Sequence, residues 1–147
     1  MSTSILLVED NATDEKLTLL AFKQSGIATD IVVQRDGAAA LDYLFGTGKY
    51  AGTPPPRLPR IILLDLKLPR IDGIEVLRRI RADERTKLIP VVVLPASNEE
   101  EDLARSYQSG ANAYVRKPVD FTEFAAAAKN LASFWLLLNE SPPAGTP

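Results

Sequence analysis

Short, unbroken apolar runs alternate along this chain with longer stretches whose apolar residues recur every three or four positions. Ile5-Leu6-Leu7-Val8, Ile31-Val32-Val33, Ile61-Ile62-Leu63-Leu64, Val91-Val92-Val93-Leu94 and Ala113-Tyr114-Val115 predict five strands. Uninterrupted apolar runs suit strands covered on both faces, as in a parallel sheet. Between them the spacing predicts helices with recognisable ends. Leu17, Leu20 and Ala21 share a face of the first, which stops at Gly26. Asp36 caps a second through Ala40, Leu41 and Leu44, ending near Gly46, and a third over residues 73–82 turns Val76, Leu77 and Ile80 inward. Ser97 with Glu100, and Asp120 with Glu123, have the form of capping boxes opening a fourth helix, closed by Gly110, and a fifth. Five βα units predict a doubly wound α/β fold with a five-stranded parallel sheet in the order 2-1-3-4-5. Residues 46–60, with Pro54-Pro55-Pro56 and Pro59, are expected to be a surface loop. One domain over residues 1–140 and a frayed tail over 141–147 complete the expected organisation.

Composition narrows the chemistry. The chain has 147 residues, 46% hydrophobic and 24% charged, which is enough apolar content for a full core. A net charge of −2 supplies no basic field for nucleic-acid phosphates, so no nucleic-acid partner is expected. The absence of cysteine removes disulfides, thiolate zinc sites and thiol nucleophiles. The absence of histidine removes serine-type triads, imidazole metal sites and any phosphohistidine of its own. No basic, apolar leader stands at residues 1–5, and Pro90 and Pro95 break the longest apolar stretch. The expectation is therefore a cytoplasmic protein without membrane contact.

In a doubly wound sheet, ligands gather beyond the carboxyl ends of the strands, where strand order reverses. The residues leaving those ends are Glu9-Asp10 after the first strand, Asp65 after the third and Lys117-Pro118 after the fifth. Any one of them alone reads as a solvated helix start or strand end. Three carboxylates meeting in one crevice repel unless a cation joins them, and all-oxygen ligation suits Mg2+. With a lysine on the far side, such a set meets the needs of phosphoryl transfer to an aspartate. The turn at residues 9–13 is acidic and free of glycine, which argues against a flavodoxin-like cofactor binder that cradles phosphate.

Taken together, Leu6-Leu7-Val8-Glu9-Asp10-Asn11, Leu63-Leu64-Asp65-Leu66-Lys67-Leu68-Pro69-Arg70-Ile71-Asp72-Gly73 and Tyr114-Val115-Arg116-Lys117-Pro118-Val119 resemble the motifs of response-regulator receiver domains of two-component signalling. The resemblance runs over about residues 4–138 and implies the flavodoxin-like receiver fold. It implies that Asp65 is the phosphoacceptor, that Asp10 ligates Mg2+, that Glu9 holds a metal water and that the Lys67 backbone carbonyl is a further ligand. Lys117 would pair with the phosphoryl group, the Lys117–Pro118 bond would be cis, and Gly73 would shape the turn after Asp65. Phe45-Gly46, Gly48-Lys49-Tyr50, Pro90-Val91-Val92-Val93-Leu94, the Tyr107 and Gly110–Tyr114 run and Phe134-Trp135-Leu136 are similar to stand-alone regulators that partner phytochrome-type sensor kinases. No output domain follows in this sequence, in keeping with that subgroup. The implied donor is a sensor histidine kinase and the implied action is signalling through protein contacts, not turnover of a substrate.

The chain departs from the family at Pro95, where receivers carry Thr or Ser. Proline offers neither the hydroxyl that bonds a phosphoryl oxygen nor an N–H, although Ala96 keeps its N–H and Tyr114 supplies the switch aromatic. Three readings stand: tolerance of proline, a blunted phospho-switch, or a pseudo-receiver acting as a constitutive dimeric interaction module. Lys67, where many receivers have Asn, is either a solvated lysine or a shield of the acyl phosphate against water. The fifth helix is expected to run to about residue 139, roughly 30 Å at 1.5 Å per residue, with Phe121, Phe124, Ala128 and Leu131 inward. Its end is apolar on every side. Phe134, Trp135, Leu136 and Leu138 are therefore expected to contact a second copy in a homodimer.

Overall fold

The computed structural model describes residues 5–27, 30–52, 58–94, 100–115 and 121–140. Five strands, β1 (Ile5–Val8), β2 (Ile31–Gln34), β3 (Ile61–Leu64), β4 (Val91–Val93) and β5 (Ala113–Tyr114), alternate with helices α1 (Ala12–Gln24), α2 (Gly37–Phe45), α3 (Gly73–Ala82), α4 (Glu100–Gln108) and α5 (Phe121–Ala132). All strand pairs are parallel, and the sheet order is β2-β1-β3-β4-β5. This is the doubly wound fold expected from the alternating pattern, with the order reversing between β1 and β3.

The apolar runs are continuous because the sheet is covered twice. Successive side chains of a strand point to opposite faces. Leu6, Val8, Ile62, Leu64 and Val91 therefore join the inner residues of α2 and α3 on one side. Ile5, Leu7, Ile61, Leu63, Val92 and Leu94 join those of α1 and α5 on the other. Side-chain caps open three of the helices: Asn11 Oδ1 accepts from Asp14 N at 2.9 Å, Asp36 Oδ1 from Ala39 N at 2.7 Å and Asp72 Oδ1 from Glu75 N at 3.0 Å. The cap positions Ser97 and Asp120 lie outside the described residues, as does the tail at 141–147.

Two helical faces differ from expectation. On α1 the buried residues are Thr18, Ala21 and Phe22, whereas Leu17 and Leu20 are exposed. Thr18 can be buried because its hydroxyl donates to Asp14 O at 2.8 Å, which leaves the bulk of Phe22 to decide which face turns inward. The fifth helix does not stay α-helical to residue 139. It continues beyond Ala132 as a π-helical turn, Ser133–Leu138, closed by Asn139 N donating to Phe134 O at 2.6 Å. Its buried stripe is Phe124, Ala128, Ala132 and Leu136, with Phe121 and Leu131 only half-buried. In an α-helix a four-residue step drifts by about 40° around the axis. The wider i→i+5 winding limits that drift and keeps Leu136 over the core.

At the amino ends of the strands, Arg81 clamps three elements. It donates from Nε to Gly110 O at 2.8 Å, from Nη1 to Lys87 O at 3.1 Å and Ile89 O at 2.7 Å, and from Nη2 to Asn112 Oδ1 at 2.7 Å. Burial draws its pKa below the ordinary arginine value, and the four oxygen acceptors make that burial tolerable. No helix among the described residues is long and apolar enough to cross a membrane.

Candidate functional site

Register brings the first two acidic segments to one place. Val8 pairs with Leu64 across β1 and β3, so Glu9-Asp10 and Asp65 leave the sheet at the same level. Asp65 N donates to Val8 O at 3.1 Å and Glu9 N to Gln34 O at 3.0 Å, which hold both chain exits in the plane of the sheet. One carboxylate oxygen each from Glu9, Asp10 and Asp65 lies within 4.8 Å of the others. Glu9 and Asp65 are buried and Asp10 is exposed, so the cluster is open on one side. Oxygen donors at this spacing fit a hard divalent cation that keeps some of its waters.

The surrounding backbone holds the cluster in shape. Glu9 Oε2 accepts from Asn11 N at 3.3 Å, and Asn11 in turn caps α1. Asp65 Oδ1 accepts from Lys67 N at 3.2 Å, placing Lys67 in the same turn with its side chain exposed. Gly73 N donates to Leu66 O at 2.8 Å, and a Cβ on Gly73 would collide with the carbonyl oxygen of Asp65 and stand 2.6 Å from Leu66 Cα. Glycine at this position lets α3 approach the acidic turn. Arg70, between them, has φ 70 and sits in a tight turn with Ile71 N donating to Pro69 O at 2.8 Å. Tyr114, at the end of β5, is half-buried against Leu66, Ile74 and Val93 directly behind that turn.

Lys117, Pro118, Pro95 and Ala96 lie outside the described residues, and so does the Lys117–Pro118 bond. Of the four residues expected at a dimer contact, Phe134 and Leu138 are exposed. Trp135 packs partly on the core with its ring edge-on to Phe134 at 4.9 Å. Leu136 corrects the expectation: it is only 7% exposed and belongs to the chain's own core, because the π turn rotates it inward. Two supporting residues had no visible sequence signal. Gly37 looks like an ordinary first helical residue, yet a Cβ there would strike the Ile71 carbonyl oxygen. Gln34 follows the expected second strand as an ordinary polar residue, yet it ends β2, its carbonyl receives Glu9 N and its amide donates to Tyr50 OH at 2.9 Å.

A doubly wound sheet with a carboxylate triad beyond β1 and β3 defines a class, and comparison with known proteins gives it a name. The chain belongs to the response regulator receiver domain family, whose family model matches residues 5–129. Among its relatives, the response regulator Rcp1 of a Synechocystis strain is 41% identical over 132 residues, covering 90% of this chain and 88% of Rcp1. The Mn2+-bound structure of Rcp1 matches with a TM-score of 0.84 at 38% identity, over 96% of this chain and 99% of that one. The phosphorylated cyanobacterial phytochrome response regulator RcpA matches with a TM-score of 0.86 at 38% identity, over 97% and 100% of the two chains. The bacteriophytochrome response regulator AtBRR is 50% identical, with a TM-score of 0.74 over 95% and 99%.

Proposed function

We propose that this chain accepts a phosphoryl group on Asp65 from the phosphohistidine of a sensor histidine kinase, with Mg2+ as the cofactor. In the transfer the donor's N–P bond breaks and an O–P bond forms to an Asp65 carboxylate oxygen, giving an acyl phosphate. The observation that carries the reading is the convergence of Glu9, Asp10 and Asp65 oxygens within 4.8 Å at the ends of adjacent strands. Asp10, Asp65 and the Lys67 carbonyl would hold the ion, Glu9 would hold one of its waters, and Lys117 would pair with the phosphoryl oxygens. The ion supplies charge neutralisation on the transferred oxygens. A relative solved with Mn2+ and another solved in a phosphorylated form support both halves of the proposal.

Two further parts belong to this reading. The kinase is of the phytochrome type, supported by the likeness to RcpA and AtBRR. The output is protein contact, to a second copy through exposed Phe134 and Leu138 and to a downstream protein. Pro95 removes one charge-assisted hydrogen bond, so the conformational response is small, whereas the complete carboxylate triad speaks against a pseudo-receiver. Incubation with Mg2+ and a small-molecule phosphodonor, read by intact mass, should add one phosphoryl group that Asp65→Asn does not take up. No addition to the folded, Mg2+-bound protein from either a small donor or a phosphorylated sensor kinase would overturn the proposal. Pro95→Thr should enlarge the phosphorylation-linked change in sedimentation or spectrum, and an identical response would refute the blunted switch.

A further inference from the structure

The last turns of α3 and α4 flank an open cleft of about 390 Å3 at the end of the sheet opposite Asp65. Arg78, Arg81 and Arg105 line it together with Ala82, Gln108 and Ser109. Three arginines, a glutamine and a serine border one small volume, and no acidic residue is among the lining residues. Guanidinium groups gathered without carboxylates are arranged to receive an oxyanion, because their planar forks match phosphate oxygens.

Helix carboxyl ends would ordinarily repel an anion. Here three arginines set positive charge beside those ends, and Arg81 is fixed among them. It donates to the carbonyls of Gly110, Lys87 and Ile89 in the loops that follow the two helices, and to Asn112 Oδ1 as well, which fixes its cation in the wall of the cleft. Four of its five N–H groups are used, leaving one on Nη2. Arg78 has only a loose contact with Glu75, 3.8 Å and solvent-exposed, and Glu75 is engaged more closely by Arg79 at 3.0 Å. Arg105 makes no ion pair among the described residues. Positive charge in the cleft therefore exceeds what those residues neutralise.

We propose that the α3–α4 cleft binds a multiply charged phosphate compound through Arg78, Arg105 and the remaining N–H of Arg81. The cleft volume lies within the range of small-molecule sites, and no aromatic side chain lines it to stack a base. Recognition is therefore of the phosphates, whether free or carried by a nucleotide. The cleft lies at the far end of the strands from the acidic cluster, so the two sites fill independently.

The test is calorimetric titration of the full chain, free of Mg2+ and with EDTA present, using inorganic pyrophosphate and a nucleoside diphosphate as probes. Saturable binding is expected at about 0.05 M salt, weakening toward about 0.15 M as screening grows. Arg78→Gln and Arg105→Gln should each weaken it about tenfold, with circular dichroism unchanged because both side chains are at the surface. Asp65→Asn should leave it unchanged. Equal affinity for the two probes assigns the site to the phosphate group alone, and tighter nucleotide binding assigns it to a nucleotide's phosphates. Either agrees with the proposal. The absence of saturable binding, binding that survives both arginine variants, or binding lost in Asp65→Asn would overturn it.

Discussion

Replacing Asp65 by Asn should make the metal-free protein more stable. Asn keeps the shape of the side chain and an Oδ1 acceptor for Lys67 N, so the change isolates the charge. At 4.8 Å, the limit that bounds the three carboxylate oxygens, two unit charges repel by about 3.5 kcal/mol at an effective dielectric near 20 and by about 0.9 kcal/mol in water. Glu9 and Asp65 are buried, which places their repulsion toward the first figure, and exposed Asp10 places its own toward the second. The gross relief is about 4 kcal/mol. A neutral acceptor for Lys67 N returns about 1 kcal/mol, and relaxation of the open side together with the loss of Asp65's other interaction returns more, leaving about 1–3 kcal/mol. For a chain of this size that is a rise in Tm of roughly 3–10 °C. Added Mg2+ should reverse the order. The wild type gains about 2.7 kcal/mol at a hundredfold excess over Kd, while the variant has lost a ligand and gains less. Thermal melts of both proteins in EDTA and in Mg2+ read the two effects separately. A variant that melts at or below the wild type in EDTA, with the same Mg2+ increment, would refute the argument that these carboxylates form one mutually repelling, metal-joined cluster.

Other substitutions test the supporting frame. Gly73→Ala puts a methyl group against the backbone of Asp65 and Leu66, which cannot rotate away, so a loss of about 1–3 kcal/mol in urea unfolding is expected, together with slower phosphorylation. Arg70→Gly removes a side chain from a left-handed conformation at the cost of only an exposed 3.7 Å contact with Asp36; stability should rise by up to about 1 kcal/mol, and a fall would show that the ion pair matters more than the strain. Leu136→Ala should cost about 2–4 kcal/mol, as for a core leucine. Leu138→Ser should leave stability within about 0.5 kcal/mol but lower self-association in sedimentation. Loss of association with no loss of stability in Leu136→Ala would reverse the roles assigned to the two leucines.

These contrasts show which parts of the molecule were legible in the chain. The strands were, because a parallel sheet covered on both faces needs unbroken apolar runs, and few other structures of this length do. The acidic triad was legible only through the fold. Glu9-Asp10 and Asp65 are more than fifty positions apart, and nothing but the order β2-β1-β3-β4-β5 makes their strands neighbours. Helical faces were less legible because periodicity counts apolar residues and not volumes. On α1 two leucines pointed to one face, and a single phenylalanine beside a threonine whose hydroxyl bonds the Asp14 carbonyl took the other. The end of the fifth helix failed for a related reason. A run apolar on all sides carries no phase, so the winding that selects its inward residue has to come from the packing of Trp135 and Leu136 against the sheet. Residues that serve the site through their backbone, Gln34 and Gly37, were hidden altogether. What recommends a glycine at position 37 is the Ile71 carbonyl oxygen, which the fold delivers from the β3–α3 turn and no local pattern announces. The same turn carries Arg70 in its left-handed conformation and presents Asp65 to the β1 carboxylates. The acidic cluster is thus held by contacts between turns as much as by the side chains that motifs record.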